Sequence, residues 1–341
     1  MPPRKPHSRA SGRVTLADVA ARAGVSAISV SRTLQSPAQV SAALRARIQA
    51  AIAELGYVPD HAARSLASAR SGTVVVLVPS LGNAVFVETL TAIQAVLQPR
   101  GWQMLIGNTR YSPAEEEALL LAWLGHRPDG ILLSGLDQTG RTRALLAGSG
   151  APVVHMMEID ATGACCSVGS GQEAAGAAMA GHLLARGYRR IAFIAVQLDP
   201  RTRQRREGWR QVMRDAGCYE PVRDLESPQP SSVGLGVEML ERLLAQAPDS
   251  DAVFCCNDDL AHGVLFECQR RGIDVPGRLA VAGFNDLPAS AWTHPRLTTI
   301  AIPRTGIGQE AARLLTELMA GRTPAQRTID LGFELKARDS T

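Results

Sequence analysis

Between residues 14 and 56, apolar side chains recur at helical spacing in three short runs. Leu16, Val19, Ala20 and Ala23 fall on one face of a first helix. Gly24 follows, where a left-handed turn costs little. Ser26 is placed to cap a second helix over about 26–34. That helix buries Val30 and Leu34 and turns Ala27, Ile28, Ser29 and Arg32 to its other faces. Two short helices joined by a Gly-containing turn form a helix-turn-helix. The second helix of such a unit fits the major groove of DNA, with its first residues towards the base edges. A third helix begins after Ser41, carries the stripe Leu44, Ile48, Ala51, Ile52 and Leu55, and stops at Gly56. The pattern alone also fits two packed helices in any small domain, so what surrounds it has to decide.

Residues 60–69, DHAARSLASA, read as a short Ala-rich helix with almost no core face, capped by Asp60. A helix this short is marginal alone, which makes it either a solvated linker or a segment that folds only when held. Leu66 is a large apolar side chain with no local partner. Wedges of that kind enter minor-groove base steps.

From Thr73 the periodicity changes. The runs TVVVLVPS, WQMLIGN, GILLSG and PVVHMM alternate with helical stretches at about 84–98, 113–125 and 140–148. The series then repeats: a helix at about 171–186, IAFIAV, helices at about 202–216 and 232–246, DAVFCCN, a helix at about 258–271, LAVAGF, and an apolar tail ending in LGFEL. Strict alternation of this kind predicts parallel sheets with helices on both faces. The fold class is an all-α helix-turn-helix head plus an α/β body of two lobes. Ligands of such sheets sit beyond the carboxyl ends of the strands, so facing lobes make a cleft.

Charge separates the two parts. Residues 1–72 hold ten Lys and Arg against three acids, a net of +7, whereas the whole chain is +4 and the remainder therefore −3. A basic head on a slightly acidic body suits a polyanion reader attached to something else. Residues 1–13 read as a flexible basic leader; no apolar segment follows them, so a secretory signal is not expected. No run of about 18 uncharged apolar residues predicts a membrane span. The six cysteines, Cys165, Cys166, Cys218, Cys255, Cys256 and Cys268, contain no Cys-x-x-Cys pair, so buried free thiols in a reducing cytoplasm are expected and no metal site is.

Enzyme motifs are also wanting. GSGQEAAG at 169–176 has its third glycine out of the G-x-G-x-x-G register, and neither G-x-x-x-x-G-K-[ST] nor G-x-S-x-G occurs. His155, His182 and His262 have no evident acid–base partner in the sequence. An enzyme on a doubly wound sheet and a sugar-transport binding protein remain the alternative classes. Neither catalytic residues nor a cofactor are expected.

VTLADVAARAGVSAISVSRTL at 14–34 resembles the DNA-binding signature of the LacI/GalR family of bacterial transcription factors. ELGYVPDHAARSLAS at 54–68 matches that family's hinge, and CNDDLAHGV, VAGFNDLP and HPRLTTI match stretches of its effector domain, in the family's order. The resemblance implies a three-helix DNA-binding domain at 14–59, a hinge helix and linker at 60–72, and a periplasmic-binding-protein-like effector and dimerisation body at 73–341. The lobes would be about 73–167 with 299–328, and about 168–298 with 329–341. It also implies a cytoplasmic homodimer on a near-palindromic operator. By position, Ala27, Ile28 and Arg32 would face bases, and Leu66 would be the wedge. Thr15, Ser29, Ser31 and the head arginines, Arg64 among them, would hold phosphates.

Within the family the narrower resemblance is to repressors of gluconate operons, carried by SPAQVSAALR, FCCNDDLAHGVLFECQRRGIDVP and TIDLGFEL. A sugar-acid effector follows as the expectation. Arg205, three residues before Gly208-Trp209, would fork onto its carboxylate with two parallel hydrogen bonds. Phe86 would stack on it, and Asn83, Glu158, Asn257 and Asn285 would bind hydroxyls. For each, a plain structural role in a turn, core or solvated loop is the alternative. Two positions depart from the family: Asn285 stands where many relatives carry Asp, and Asp60 where many carry Asn. No leucine heptad follows KARDST, so a dimer rather than a tetramer is expected.

Overall fold

The computed structural model describes residues 14–58 and 71–341, and the chain divides into a head and a body between Ser71 and Gly72. The hinge residues Arg64 and Leu66 lie outside the described residues. In the head, α1 (Leu16–Ala23), α2 (Ala27–Gln35) and α3 (Ala42–Leu55) form where the apolar stripes place them. Thr15 caps α1 through a reciprocal bond with Asp18, and Ser26 and Ser41 cap the other two helices. Gly24 ends α1 at φ +63°, a conformation that suits a residue without Cβ. Val19, Val30 and Ile48, fully buried, meet Ala20, Ala23, Ala51 and Tyr57 in one small core.

The body has two sheets. The first takes β1 (Thr73–Val78), β2 (Gln103–Asn108), β3 (Gly130–Ser134), β4 (Val153–Met157), β5 (Cys166–Gly169) and β11 (Thr328–Asp330), in the order β11-β5-β4-β3-β1-β2 and all parallel. Between its strands run α4 (Ala84–Leu97), α5 (Pro113–Leu124) and α6 (Gly140–Ser149). The second takes β6 (Ile191–Val196), β7 (Asp224–Ser227), β8 (Ala252–Cys255), β9 (Ala280–Asn285), β10 (Thr298–Ala301) and β12 (Glu334–Lys336), in the order β12-β10-β9-β8-β6-β7. Its helices are α7 (Gln172–Ala185), α8 (Pro200–Asp215), α9 (Val233–Gln246) and α10 (Asp258–Arg271). Strands such as β1, β6 and β9 are buried almost end to end, as two-sided burial of parallel strands requires.

Several features are not those the pattern predicts. The apolar tail contains a full helix, α11 (Arg304–Met319), packed on α4 of the first lobe. The short strands β5 and β7 carry no periodicity long enough to announce them, and β12 runs antiparallel to β10 at the sheet edge. The lobes also exchange chain a few residues later than the expected crossings near 168, 299 and 329. β5 stays in the first sheet through Gly169, β10 pairs with β9 through Ala301, and β11 pairs with β5 through Asp330. Strand partners, not hydrophobic runs, fix those crossings. The cysteines are all free; Cys166, Cys255, Cys256 and Cys268 are buried, while Cys165 and Cys218 are only partly so.

α7 and α8 cross so closely that only glycine fits at the contact. A Cβ on Gly176 would lie 2.2 Å from the Arg205 carbonyl, and one on Gly208 would lie 2.0 Å from that of Glu173. Helix α8 is thereby pinned at the cleft end of the second lobe, with Arg205 at the crossing.

Candidate nucleic-acid face and interlobe cleft

On the head, α2 presents Ala27, Ile28 and Arg32 to solvent; Ile28 is 70 % exposed. An isoleucine that exposed has no packing role and is free for a groove. Ser29 and Ser31 are half-buried at the edge of that face. The Ser29 hydroxyl lies 3.0 Å from that of Ser26, which accepts the Ser29 N–H at 3.2 Å. Thr15 differs from expectation: its hydroxyl donates its proton to Asp18 at 2.7 Å, so in this conformation it has no proton for a phosphate. The bonds from Thr15 hold the Asp18 carboxyl below the usual carboxylate range. The Asp18 N–H is taken in return by the Thr15 hydroxyl, at 3.3 Å.

In the body, Asn83, Phe86, Arg205, Asn257 and Asn285 line one cavity between the lobes, about 430 Å³ of empty space with the solvent at its mouth counted in. Arg205 is its most constrained group. Nε donates to Gln172 Oε1 at 2.8 Å, and Nη1 donates to the Cys256 carbonyl at 2.8 Å and to Asn257 Oδ1 at 3.0 Å. The guanidinium stacks on Phe284, 3.7 Å from the ring centroid. Burial pulls the Arg205 pKa down to about 10, which still leaves it charged at neutral pH. Three of its five N–H groups are thus committed, and Nη2 alone carries the two that are free. The expected fork from two nitrogens is not available. A carboxylate would meet a single nitrogen of Arg205 and need a second donor from elsewhere in the wall.

The neighbours supply one. Asn257 caps α10 by position without a capping bond; its Oδ1 also accepts from Asn285 Nδ2 at 3.1 Å, and its Nδ2 donates to Ser231 Oγ at 3.3 Å. Asn83 accepts the Val85 N–H at 3.0 Å through Oδ1, leaving its amide N–H groups for the cleft. It is both the cap of α4 and a wall residue, as Phe86 is both wall and core of the first lobe. Glu158 does not line this cavity, unlike the other expected effector residues. It is buried behind this cavity, not in its wall; Oε1 accepts from Gln204 at 3.0 Å, and burial raises its pKa.

The structure adds Tyr111, Gln172, Gln197, Asp199 and Arg201 to the wall. Asp199 caps α8 through the Thr202 N–H at 3.0 Å and accepts from Arg201 at 3.3 Å. Burial opposes its ionisation, but Arg201 and Arg205 outweigh that and hold its pKa down. Burial raises the Tyr111 hydroxyl to about 12. The signal that could have found these residues is positional, since each follows a strand's carboxyl end. Four wall residues adopt left-handed backbone despite carrying side chains: Tyr111 at φ +57°, Met157 at +76°, Gln197 at +67° and Asn285 at +108°. Strain concentrated on one cavity is a mark of a working site. Among the described residues no cluster of His, Cys, Asp and Glu could hold a metal, and no helix is long and apolar enough to cross a membrane.

A groove-reading helix-turn-helix on a two-lobed body with a polar cleft defines a ligand-responsive regulator of transcription. Residues 15–60 match the model of bacterial regulatory proteins of the lacI family, and residues 180–341 match that of the periplasmic binding protein-like domain. The chain belongs to the LacI family and is a transcriptional regulator, not an enzyme. It is 51 % identical over 335 residues to the HTH-type transcriptional regulator GntR of Pseudomonas aeruginosa, covering 98 % of each chain. The crystal structure of transcription regulator GntR from Chromobacterium violaceum is also 51 % identical, with a TM-score of 0.77, covering 79 % of this chain and 98 % of that one. The lac repressor dimer bound to operator and the anti-inducer ONPF matches at TM-score 0.85 and 26 % identity, over 96 % of this chain and 99 % of that one.

Proposed function

We propose that the protein is a cytoplasmic homodimeric repressor that holds a near-palindromic operator and is released by a sugar acid, gluconate or a close relative, bound in the interlobe cleft. The observation that carries the ligand class is Arg205: a buried, charged guanidinium with two free N–H groups on one nitrogen, set among amides. A fixed cation calls for an anionic group, and amides that both donate and accept suit hydroxyls. Asn83, Asn257 and Asn285 bind hydroxyls on this reading, Phe86 covers the apolar face of the chain, and Glu158 acts from behind through Gln204.

Residues 14–59 read DNA on the same account. Ala27, Ile28 and Arg32 face bases, while Ser29, Ser31, Arg64 and the turn begun by Thr15 hold phosphates. Residues 60–72 connect the head to the sensor at 73–341, and Leu66 wedges the minor groove. The dimer and the operator mode are supported by the lac repressor complex, which the chain matches over nearly its whole length. Footprinting on genomic DNA with and without gluconate tests the whole reading. Protection of discrete sites that gluconate removes is expected; uniform binding to all DNA, or protection indifferent to every sugar acid, overturns it.

A further inference from the structure

Beside the Arg205 cavity lies a second one, about 370 Å³ with the solvent at its mouth counted in, which shares Tyr111, Asp199 and Arg201 with the first. Its inner wall belongs to the first lobe: Ser134 ends β3, Asp137 follows it, and Glu116 projects from α5. Three buried atoms at this place have no hydrogen-bond partner among the described residues: Ser134 Oγ, Arg201 Nη1 and Glu158 Oε2. Buried polar atoms are almost always paired, so three together mark a place built for a polar occupant. Gly135, at φ +89°, leaves open the space that two of them, Glu158 Oε2 and Arg201 Nη1, share. A Cβ there would stand 2.9 Å from Asp137 Oδ1, 3.0 Å from Glu158 Oε2 and 3.6 Å from Arg201 Nη1.

The chemistry of this second cavity differs from that of the first. Arg201, the Tyr111 hydroxyl and the Ser134 hydroxyl donate, while Asp137 and Asp199 accept. Burial pushes Glu116 up to about 7, so at neutral pH it is divided between a donor and an acceptor form. Donors and acceptors interleaved in this way match hydroxyl groups, each of which does both.

We propose that this second cavity receives the far, hydroxyl-bearing end of an open-chain sugar acid whose carboxylate sits at Arg205. The inference rests on the sugar-acid reading above and adds the ligand's shape: extended, and recognised at both ends, with Arg201 and Tyr111 at the threshold between the cavities. An open chain reaches past that threshold; a closed ring stays on one side of it. Length is therefore read as well as charge.

Calorimetric titration of the full-length protein with straight-chain sugar acids of four, five and six carbons tests this. Affinity is expected to rise at least tenfold from the four- to the six-carbon acid. In Ser134→Ala the six-carbon acid should lose most of that advantage, while the four-carbon acid binds as before; Glu116→Leu should do the same. Equal affinities across the series, or a Ser134→Ala loss that is the same at every length, overturns the two-ended mode, and the unpartnered atoms then hold water alone. If none of the three acids binds, the sugar-acid reading itself falls and takes this inference with it.

Discussion

Arg205→Ala separates sensing from DNA binding. In the folded protein the substitution removes the donors that Gln172 Oε1, the Cys256 carbonyl and Asn257 Oδ1 use, and the stacking on Phe284. Each buried acceptor left unpaired costs about 1–3 kcal/mol, offset by relief from burying a charge and by water entering the space. A net loss of about 2–4 kcal/mol is expected. At about 2–4 °C per kcal/mol for a domain of this size, the body should melt roughly 5–15 °C lower. The ligand loses a charge-assisted bond worth about 1.5–3 kcal/mol, so effector affinity should fall about 10- to 150-fold. The head packs its own core, and the proposed base contacts lie on α2, so specific operator binding measured without effector should stay within about threefold. Arg205→Lys should recover part of the stability but little of the affinity, because an ammonium cannot serve Gln172, Cys256 and the ligand in one planar arrangement. Calorimetric titration with gluconate, and gel shifts with and without it, give both quantities. A variant that folds, binds operator and still releases it at the usual gluconate concentration refutes the role given to Arg205.

Three further outcomes follow from the packing. Gly208→Ala should destabilise the body by about 2–4 kcal/mol, because the added Cβ would stand 2.0 Å from the Glu173 carbonyl; an unchanged melting temperature means that α7 and α8 are not in the contact described. Burial raises the Glu116 pKa from an unfolded value of 4.5 to about 7, so its contribution to stability is full below about pH 4.5 and lost as pH rises through 7. Glu116→Gln should therefore melt close to the parent at pH 5 but be more stable by about 2 kcal/mol at pH 8; identical shifts at both pH values refute the titration. Arg304 is the first residue of α11. It donates to the Asn285 carbonyl, to that of Asp286 at 3.1 Å and to Glu88 on α4 at 2.9 Å, and so ties the strained turn of one lobe to a helix of the other. Arg304→Met should free that turn and weaken effector binding roughly tenfold, and titration at matched stability would show no change if Asn285 takes no part.

Much of this was legible because local rules and tertiary structure agree. Ser26, Gly24 and the helical spacing around Val19, Val30 and Ile48 mark the three helices of the head, and the β-branched runs at Val74–Val78 and Ile191–Val196 mark two inner strands. Arg205, Asn257 and Asn285 could be set together only through family resemblance, and they do share one cavity. What stayed hidden depends on partners distant in sequence. β11 is three residues long and exists because β5 is beside it. Gln172 and Arg201 look like ordinary surface residues of helix starts; only the facing of the two lobes makes them a wall. Helix α11 is hard to read because Pro303, Gly306 and Gly308 punctuate its first turn, so its start looks like part of an irregular tail. Glu158 is buried and does not line the first cavity, and a side chain's depth leaves no trace in sequence.

The claim on which the rest depends is that the cleft and the DNA reader share one free-energy balance. Effector affinity should therefore be measured on the full-length protein twice, free and saturated with a specific operator duplex. If the coupling is real, operator weakens gluconate binding by the same factor by which gluconate weakens operator binding, on the order of 5- to 150-fold. Equal gluconate affinities with and without operator would contradict it.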